Sequence, residues 1–306
     1  MRPIRIFTPV WGSKYIEWFE KALCGSLLWP KNFEVIKHAK WSILCHHSEF
    51  HQVAEIASKV LPPEQIETME VNGPMEDLNR WKGIRMNEGV VSAMKKCVDQ
   101  DSLFLMATTD FIYGDGTLAN MIKEASVRRS CISMAHFRVH PTILPELNAP
   151  LSNYELVSLS RKHPHMSWTE SEWLKNPSGS PVGGITWRDE GNGIHSVRHR
   201  MPSPYLCNIT QEDVNFMATQ NDEKMAAFGA FDHDWPAELI KQERFRLILS
   251  SDQAFMGEVT SPGDNCPTLR VVNPNEPDAF WHDHDEHNRL HHQMNRQFIS
   301  CFRGAP

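Results

Sequence analysis

The chain has 306 residues, of which 41% are hydrophobic and 23% charged, with a mean hydropathy of −0.44 and a formal net charge of −7. That composition excludes a disordered or fibrous chain and argues against broad, nonspecific phosphate binding. No apolar run approaches the roughly 18 residues of a membrane helix, and MRPIRIFTPVWG turns polar too soon for a secretory signal, so a cytoplasmic location is expected.

In chain order, IRIFTPV (4–10), WSILCHH (41–47), QIETMEV (65–71) and SLFLMAT (102–108) have the apolar, β-branched texture of strands. The segments from Lys14, Phe50, Leu78 and Thr117 have helical spacing, clearest where Trp81, Ile84, Val91, Met94 and Val98 recur. CISMAHFRV (131–139) reads as a further strand. The alternation implies βαβ units, hence an α/β fold with a mixed, mostly parallel sheet flanked by helices. Beyond Pro141 come a helix at 151–163 and Gly-, Pro- and Trp-rich irregular sequence to about Asn208. Without a linker or repeat, one unit with two halves is expected, 1–140 and 141–306. Seven cysteines without CxxC spacing fit scattered reduced thiols.

Ligands of parallel sheets gather beyond the carboxyl ends of the strands. Those ends carry Thr8 to Gly12, Cys45 to Ser48, Val71 to Pro74 and Thr108 to Asp110. Neither GxGxxG after the first strand nor GxxxxGK[ST] occurs, so a dinucleotide fingerprint and a P-loop are unsupported.

FTPVWG after the first strand, the helix with Arg80, Lys82 and Arg85, and an apolar strand running into Asp110 together resemble the nucleotide-binding half of GT-A fold glycosyltransferases. The resemblance covers roughly residues 4–140. It implies transfer of a sugar from a nucleotide-diphosphate donor, with Asp110 matching the last carboxylate of the family's DxD motif and holding a divalent cation, Mn²⁺ or Mg²⁺, on the diphosphate. Here the motif is TTD, with Thr108 in the place of the first Asp. Asp110 also suits a ribose hydrogen bond or a helix cap, and Asp115 suits an N-cap before GTLANMIKEA.

Thr8 and Pro9 are expected against the base or ribose, with Trp11 nearby, and one of Arg80, Lys82 and Arg85 against phosphate. The second half is expected to bind the acceptor. Asp232 and Asp234 are candidates for the base that takes the acceptor proton, although the same residues suit capping of the helix at Pro236. Asp252 follows another apolar strand. Among 16 histidines, His163 and His165 lie in RKHPHMSW, and WHDHDEHNRLHH carries His282, His284, His287, His291 and His292. The family resemblance makes His282 or His284 the candidate carboxyl-terminal metal ligand. The acceptor, whether saccharide, protein, small molecule or modified nucleic acid, is not legible. Two rivals remain: a metal-dependent hydrolase using Asp110 and the His-rich end, and a noncatalytic nucleotide- or sugar-binding protein.

Overall fold

The computed structural model describes residues 2–71, 75–128, 130–134, 136–169, 185–199, 203–220, 231, 234–263 and 300–305. Strand β1 (Ile4–Val10) leads into helix α1 (Ser13–Trp18), which continues through a π-helical turn at Phe19–Cys24. Helix α2 (Pro30–Ile36) begins with Pro30, whose fixed φ and missing N–H suit a first turn. Then come β2 (Lys40–His46), α3 (Phe50–Ser58), β3 (Ile66–Val71), α4 (Met75–Asp99) and β4 (Leu103–Met106). Strand β5 (Phe111–Tyr113), α5 (Thr117–Arg128), β6 (Cys131–Met134), β7 (His136–Val139) and α6 (Asn153–Lys162) follow. The remainder holds β8 (Ile185–Gly191), β9 (Ile194–His199), β10 (Leu206–Cys207), α7 (Gln211–Thr219), α8 (Asp234–Lys241), β11 (Phe245–Ile248), β12 (Met256–Val259) and β13 (Ser300–Arg303).

Seven strands form the central sheet in the order β11-β6-β10-β4-β1-β2-β3. The first four strands of the chain are mutually parallel, as the βαβ alternation implied. Of the seven, β10 alone runs against its neighbours, pairing antiparallel with β4 and β6. Two three-stranded sheets, β5-β12-β7 and β13-β9-β8, complete the described architecture.

Period-two alternation sorts β1 between two cores. Ile4, Ile6 and Val10 enter one with Trp41, Ile43, Phe19, Val53 and Met121, while Phe7 enters the other with Leu44, Val90, Met94, Phe104 and Trp235. Each such side chain contributes roughly 1.5–3 kcal/mol on full burial. The second core has little slack: a Cβ on Gly89 of α4 would stand 2.9 Å from Phe7 and 3.1 Å from Leu44. A third core, around Phe137, Trp168, Trp187 and Phe302, joins the two smaller sheets to α6.

Two expectations change. The single strand expected at 131–139 is split between sheets, β6 joining the central one and β7 pairing with β12. Within the stretch expected to be irregular, β8 and β9 form a hairpin whose Asn192 and Gly193 have φ of 52° and 74°, the positive values a type I′ turn needs. No helix among the described residues is long and apolar enough to cross a membrane.

Candidate functional site

Strand β4 leaves the sheet beside β1. Ala107 still donates to the Phe7 carbonyl at 3.0 Å, and Thr108-Thr109-Asp110 then turns the chain into β5, with Phe111 N–H donating to Thr108 O at 3.2 Å. Asp110 is part-buried at this exit, and its Oδ1 accepts the Thr108 hydroxyl at 2.5 Å. Its carbonyl accepts the N–H of Val259 at 2.8 Å, which lays β12 alongside.

That pairing brings Glu258 next to Asp110. Alternation in HFRV sends Phe137 and Val139 into the third core and leaves His136 and Arg138 on the other face, where β12 runs parallel with Glu258 opposite Arg138. His136 Nε2 lies 2.6 Å from Glu258 Oε2 and Arg138 Nε 3.4 Å from Oε1, while Tyr205 Oη is 3.2 Å from His136 Nδ1. The side chains of His136, Arg138 and Glu258 are 10%, 15% and 13% exposed, so the cluster is largely shielded from water.

The two carboxyls are driven apart. Burial, then the Glu258 charge, pushes Asp110 up to about 7, against the Thr108 hydrogen bond and Arg138. Burial also opposes ionisation of Glu258, but Arg138 and His136 overcome it and hold that carboxyl well below the usual range. Divergent carboxyls of this kind mark sites where charge is managed rather than merely solvated.

The loop after β12 continues the site. Ser261 accepts at its Oγ from Lys14 Nζ at 3.1 Å, and its carbonyl lies 3.0 Å from His165 Nε2. Lys14 Nζ also lies 4.6 Å from the Tyr15 ring centroid and 5.0 Å from that of Trp18. Burial lowers the pKa of His165. At the end of β1, the N–H of Gly12 donates to both carboxylate oxygens of Glu49 at 3.0 Å, fixing the turn there.

The expected site residues scatter. Thr8 is fully buried on the Ile6 and Val10 face, and its hydroxyl accepts from Trp41 Nε1 at 2.9 Å, so its side chain serves the core. Pro9 is part-buried beside it, and Trp11 packs against the second core. Arg80 and Lys82 lie on α4 with side chains outside the described part. Arg85 is exposed, pairs with Glu88 at 2.9 Å, and lines an open cleft of about 410 Å³ with Leu44, Met69 and Val71. Asp232, His282 and His284 lie outside the described residues. Asp234 opens α8, whose next residue, Trp235, donates to Asp213 in the first turn of α7 at 3.0 Å. Asp234 itself is half-buried.

Asp115 caps a helix other than the one that follows it. Its carboxylate accepts from Lys31 N–H at 2.8 Å, at the start of α2, while Asn32 Oδ1 accepts from Gly116 and Leu118 N–H at the start of α5. The two helices cap each other across the fold. His163 is tied to Glu146 and Thr142, and Asp252 faces Arg303 at 3.5 Å. Among the described residues, no three of His, Cys, Asp and Glu converge as metal ligands do.

Sequence reading missed Glu258, Arg138, His136, Lys14 and Ser261. The alternation of HFRV and the place of Lys14 just beyond the turn at Gly12 were the signals available.

No protein-family model matches the chain, and no curated protein does. Among solved structures, S. aureus TarS aligns at 12% identity with a TM-score of 0.43, over 91% of this chain and 42% of TarS. TarS 1-349 aligns at 12% identity with a TM-score of 0.32, over 45% of this chain and 36% of that one. The chain thus spans less than half the length of either, and at these scores the likeness carries no functional argument.

Proposed function

We propose that the chain is a glycosyltransferase that moves a sugar from a nucleoside-diphosphate donor to an acceptor hydroxyl, with the donor diphosphate at Asp110. The observation that carries this reading is the position of Asp110: a part-buried carboxyl at the exit of a central parallel strand, on the sheet edge where ligands of such folds gather. Arg138 and His136 already hold the neighbouring carboxylate, Glu258, so Asp110 is the carboxyl of the pair turned to ligand work.

Transfer breaks the bond between the anomeric carbon and a diphosphate oxygen and forms one to the acceptor oxygen. The bonding electrons leave with the diphosphate, and the acceptor proton passes to a base. A divalent cation such as Mn²⁺ or Mg²⁺, held by Asp110 and the donor's own phosphate oxygens, would neutralise the charge gathering on the leaving group. The oxygen donors at the exit of β4, Asp110 with the Thr108 hydroxyl beside it, suit a hard cation that keeps most of its shell from substrate and water. His282 or His284 would complete that shell, and Asp232 or Asp234 takes the acceptor proton. Residues 1–140 hold the donor with the help of β12 from the second half.

The test is to incubate purified protein with nucleoside-diphosphate sugars differing in base and sugar, with Mn²⁺ or Mg²⁺, and to measure nucleoside diphosphate released. Release that disappears in Asp110→Asn supports the reading. No release, together with no thermal shift by any nucleotide at saturation, where roughly 2.7 kcal/mol of stabilisation is expected at 100-fold the dissociation constant, overturns it.

A further inference from the structure

We propose that the end of the central sheet opposite Asp110 carries a second ligand site, a cleft between Arg2 and Arg244 that takes a small organic monocarboxylate with an apolar body. Arg2 precedes β1, Asp101 precedes β4 and Arg244 precedes β11, so all three stand at the amino ends of parallel strands. Because β10 runs against its neighbours, Asn208, just past its last residue, comes to the same end. Among the described residues these four border a cleft of about 490 Å³, within the roughly 300–1,000 Å³ of small-molecule sites. Two guanidiniums clasp one residue there: Arg2 Nη1 donates to Asn208 Oδ1 at 2.9 Å and Arg244 Nη2 to the Asn208 carbonyl at 2.8 Å. They are held with unequal firmness. Arg244 makes a two-pronged bond, at 2.7 and 2.9 Å, to Asp213, whose side chain is 2% exposed, and is a fixed charge. Arg2 pairs at 2.7 Å with Asp101, whose side chain is 87% exposed, and its Nε donates to the Asp101 carbonyl at 3.3 Å. An ion pair so open to water contributes little, and Arg2 engages three of its five N–H groups among the described residues, so it can turn to a ligand.

The charge balance selects the ligand. Each guanidinium faces one carboxylate, so the four charges cancel. A ligand carboxylate that replaces Asp101 on Arg2 keeps that balance, releases Asp101 to water, and offers the planar, two-pronged geometry a guanidinium prefers. A phosphate dianion would leave one negative charge in excess. The remaining wall is apolar, formed by Val98 and Ile209 with Cys97 beside them. Burial pushes the Cys97 thiol up to about 11, so it meets a ligand uncharged. An apolar body against that wall shields the new ion pair from water, as the exposed Asp101 side chain does not, and an ion pair strengthens as water is excluded.

The test measures binding of benzoate to the parent, Arg2→Gln and Asp101→Asn by calorimetry, with benzamide as the uncharged control and inorganic phosphate as the dianion. No nucleotide enters it, so the site stands or falls apart from the reading of Asp110. Expected are an affinity about tenfold weaker in Arg2→Gln and about threefold tighter in Asp101→Asn, which removes the competing carboxylate. Benzamide and phosphate should bind the parent more weakly than benzoate. Thermal unfolding of both variants separates binding from folding, and the gain expected in Asp101→Asn cannot come from a damaged fold. No binding of benzoate to the parent, or an affinity that fails to fall in Arg2→Gln or to rise in Asp101→Asn, overturns the site. Benzamide or phosphate binding as tightly as benzoate overturns the carboxylate as its ligand.

Discussion

The Asp110 carbonyl accepts the N–H of Val259 at 2.8 Å, and through that single backbone bond a strand from the far end of the chain is laid against the exit of β4. Glu258, one residue earlier, therefore faces the Asp110 neighbourhood on one side and Arg138 of β7 on the other. Two carboxyls, one cation and one imidazole share a shielded spot, and their unequal partners decide which carboxyl carries the charge.

Asp110→Asn should separate function from stability. Donor turnover should fall about 100-fold or more, the usual cost of removing an electrostatic stabiliser. Stability should move the other way. With its pKa raised to about 7, the folded state keeps a proton that the unfolded state has lost between the ordinary carboxylate value, about 4, and about 7. Stability therefore falls as pH rises through that window, and the full penalty is present above it. Asparagine escapes the penalty and still offers an oxygen to the Thr108 hydroxyl. Urea unfolding at pH 5 and pH 8 should show the variant gaining on the order of 1 kcal/mol or more on the parent at the higher pH and less at the lower. A variant less stable than the parent at pH 8 would contradict the placement of Asp110 beside Glu258.

Glu258→Gln should be destabilising by about 3 kcal/mol at pH 7, because it leaves Arg138 and His136 facing a neutral amide in a shielded site. The sign with pH is opposite to that of Asp110. A carboxyl held below its ordinary value contributes stability above that value and loses it as pH falls toward the folded pKa. The deficit should thus persist down to about pH 5 and shrink only in stronger acid. Denaturant midpoints across pH 3–8 check this, and a deficit constant with pH would mean a packing effect alone.

Asp213→Ala tests the second core away from the site. Asp213 has a side chain only 2% exposed, accepts from Arg244 at 2.7 and 2.9 Å and from Trp235 Nε1 at 3.0 Å, and closes a capping box with Thr210. Removing it strands a guanidinium and frees the first turn of α7, for an expected loss of about 3–5 kcal/mol. Turnover per folded molecule should be unchanged. A loss below about 1 kcal/mol would show that water replaces these bonds.

The parallel strands were legible because short, mostly apolar runs such as IRIFTPV, whose side chains alternate between two faces, take turns with amphipathic segments. The same alternation, carried one step further, puts Thr8 on the Ile6 and Val10 face, and the hydroxyl assigned to a ligand belongs to Trp41. Asp110 was visible from its strand-end position. Glu258 and Arg138 were not, because their places arise from the pairing of β12 with β7, which no local pattern encodes. Asp115 fails for the same reason: a cap that reaches α2 from another element has no signature in its own neighbours.

The loop that follows β5 gives the last prediction. Asn32 is fully buried, and its amide donates to Ser26 O at 3.1 Å and Gly114 O at 3.2 Å while its carbonyl accepts from Gly116 and Leu118. Gly114 is thereby pressed against α6, where an added Cβ would stand 2.0 Å from the side-chain oxygen of Asn153 and 3.0 Å from its backbone. The side-chain atom has little freedom to withdraw, since it accepts the Thr117 hydroxyl at 2.7 Å, and the backbone has less. Gly114→Ala should therefore cost about 3 kcal/mol, at the upper end of overpacking penalties. Adding Asn153→Ala removes the nearer clash but leaves the backbone of α6 in place, so rescue should be partial, with the double variant more stable than the sum of the two single losses predicts. Thermal and urea unfolding of the three variants decide it. Strict additivity, or a Gly114→Ala loss below about 0.5 kcal/mol, would mean that the loop does not rest on α6.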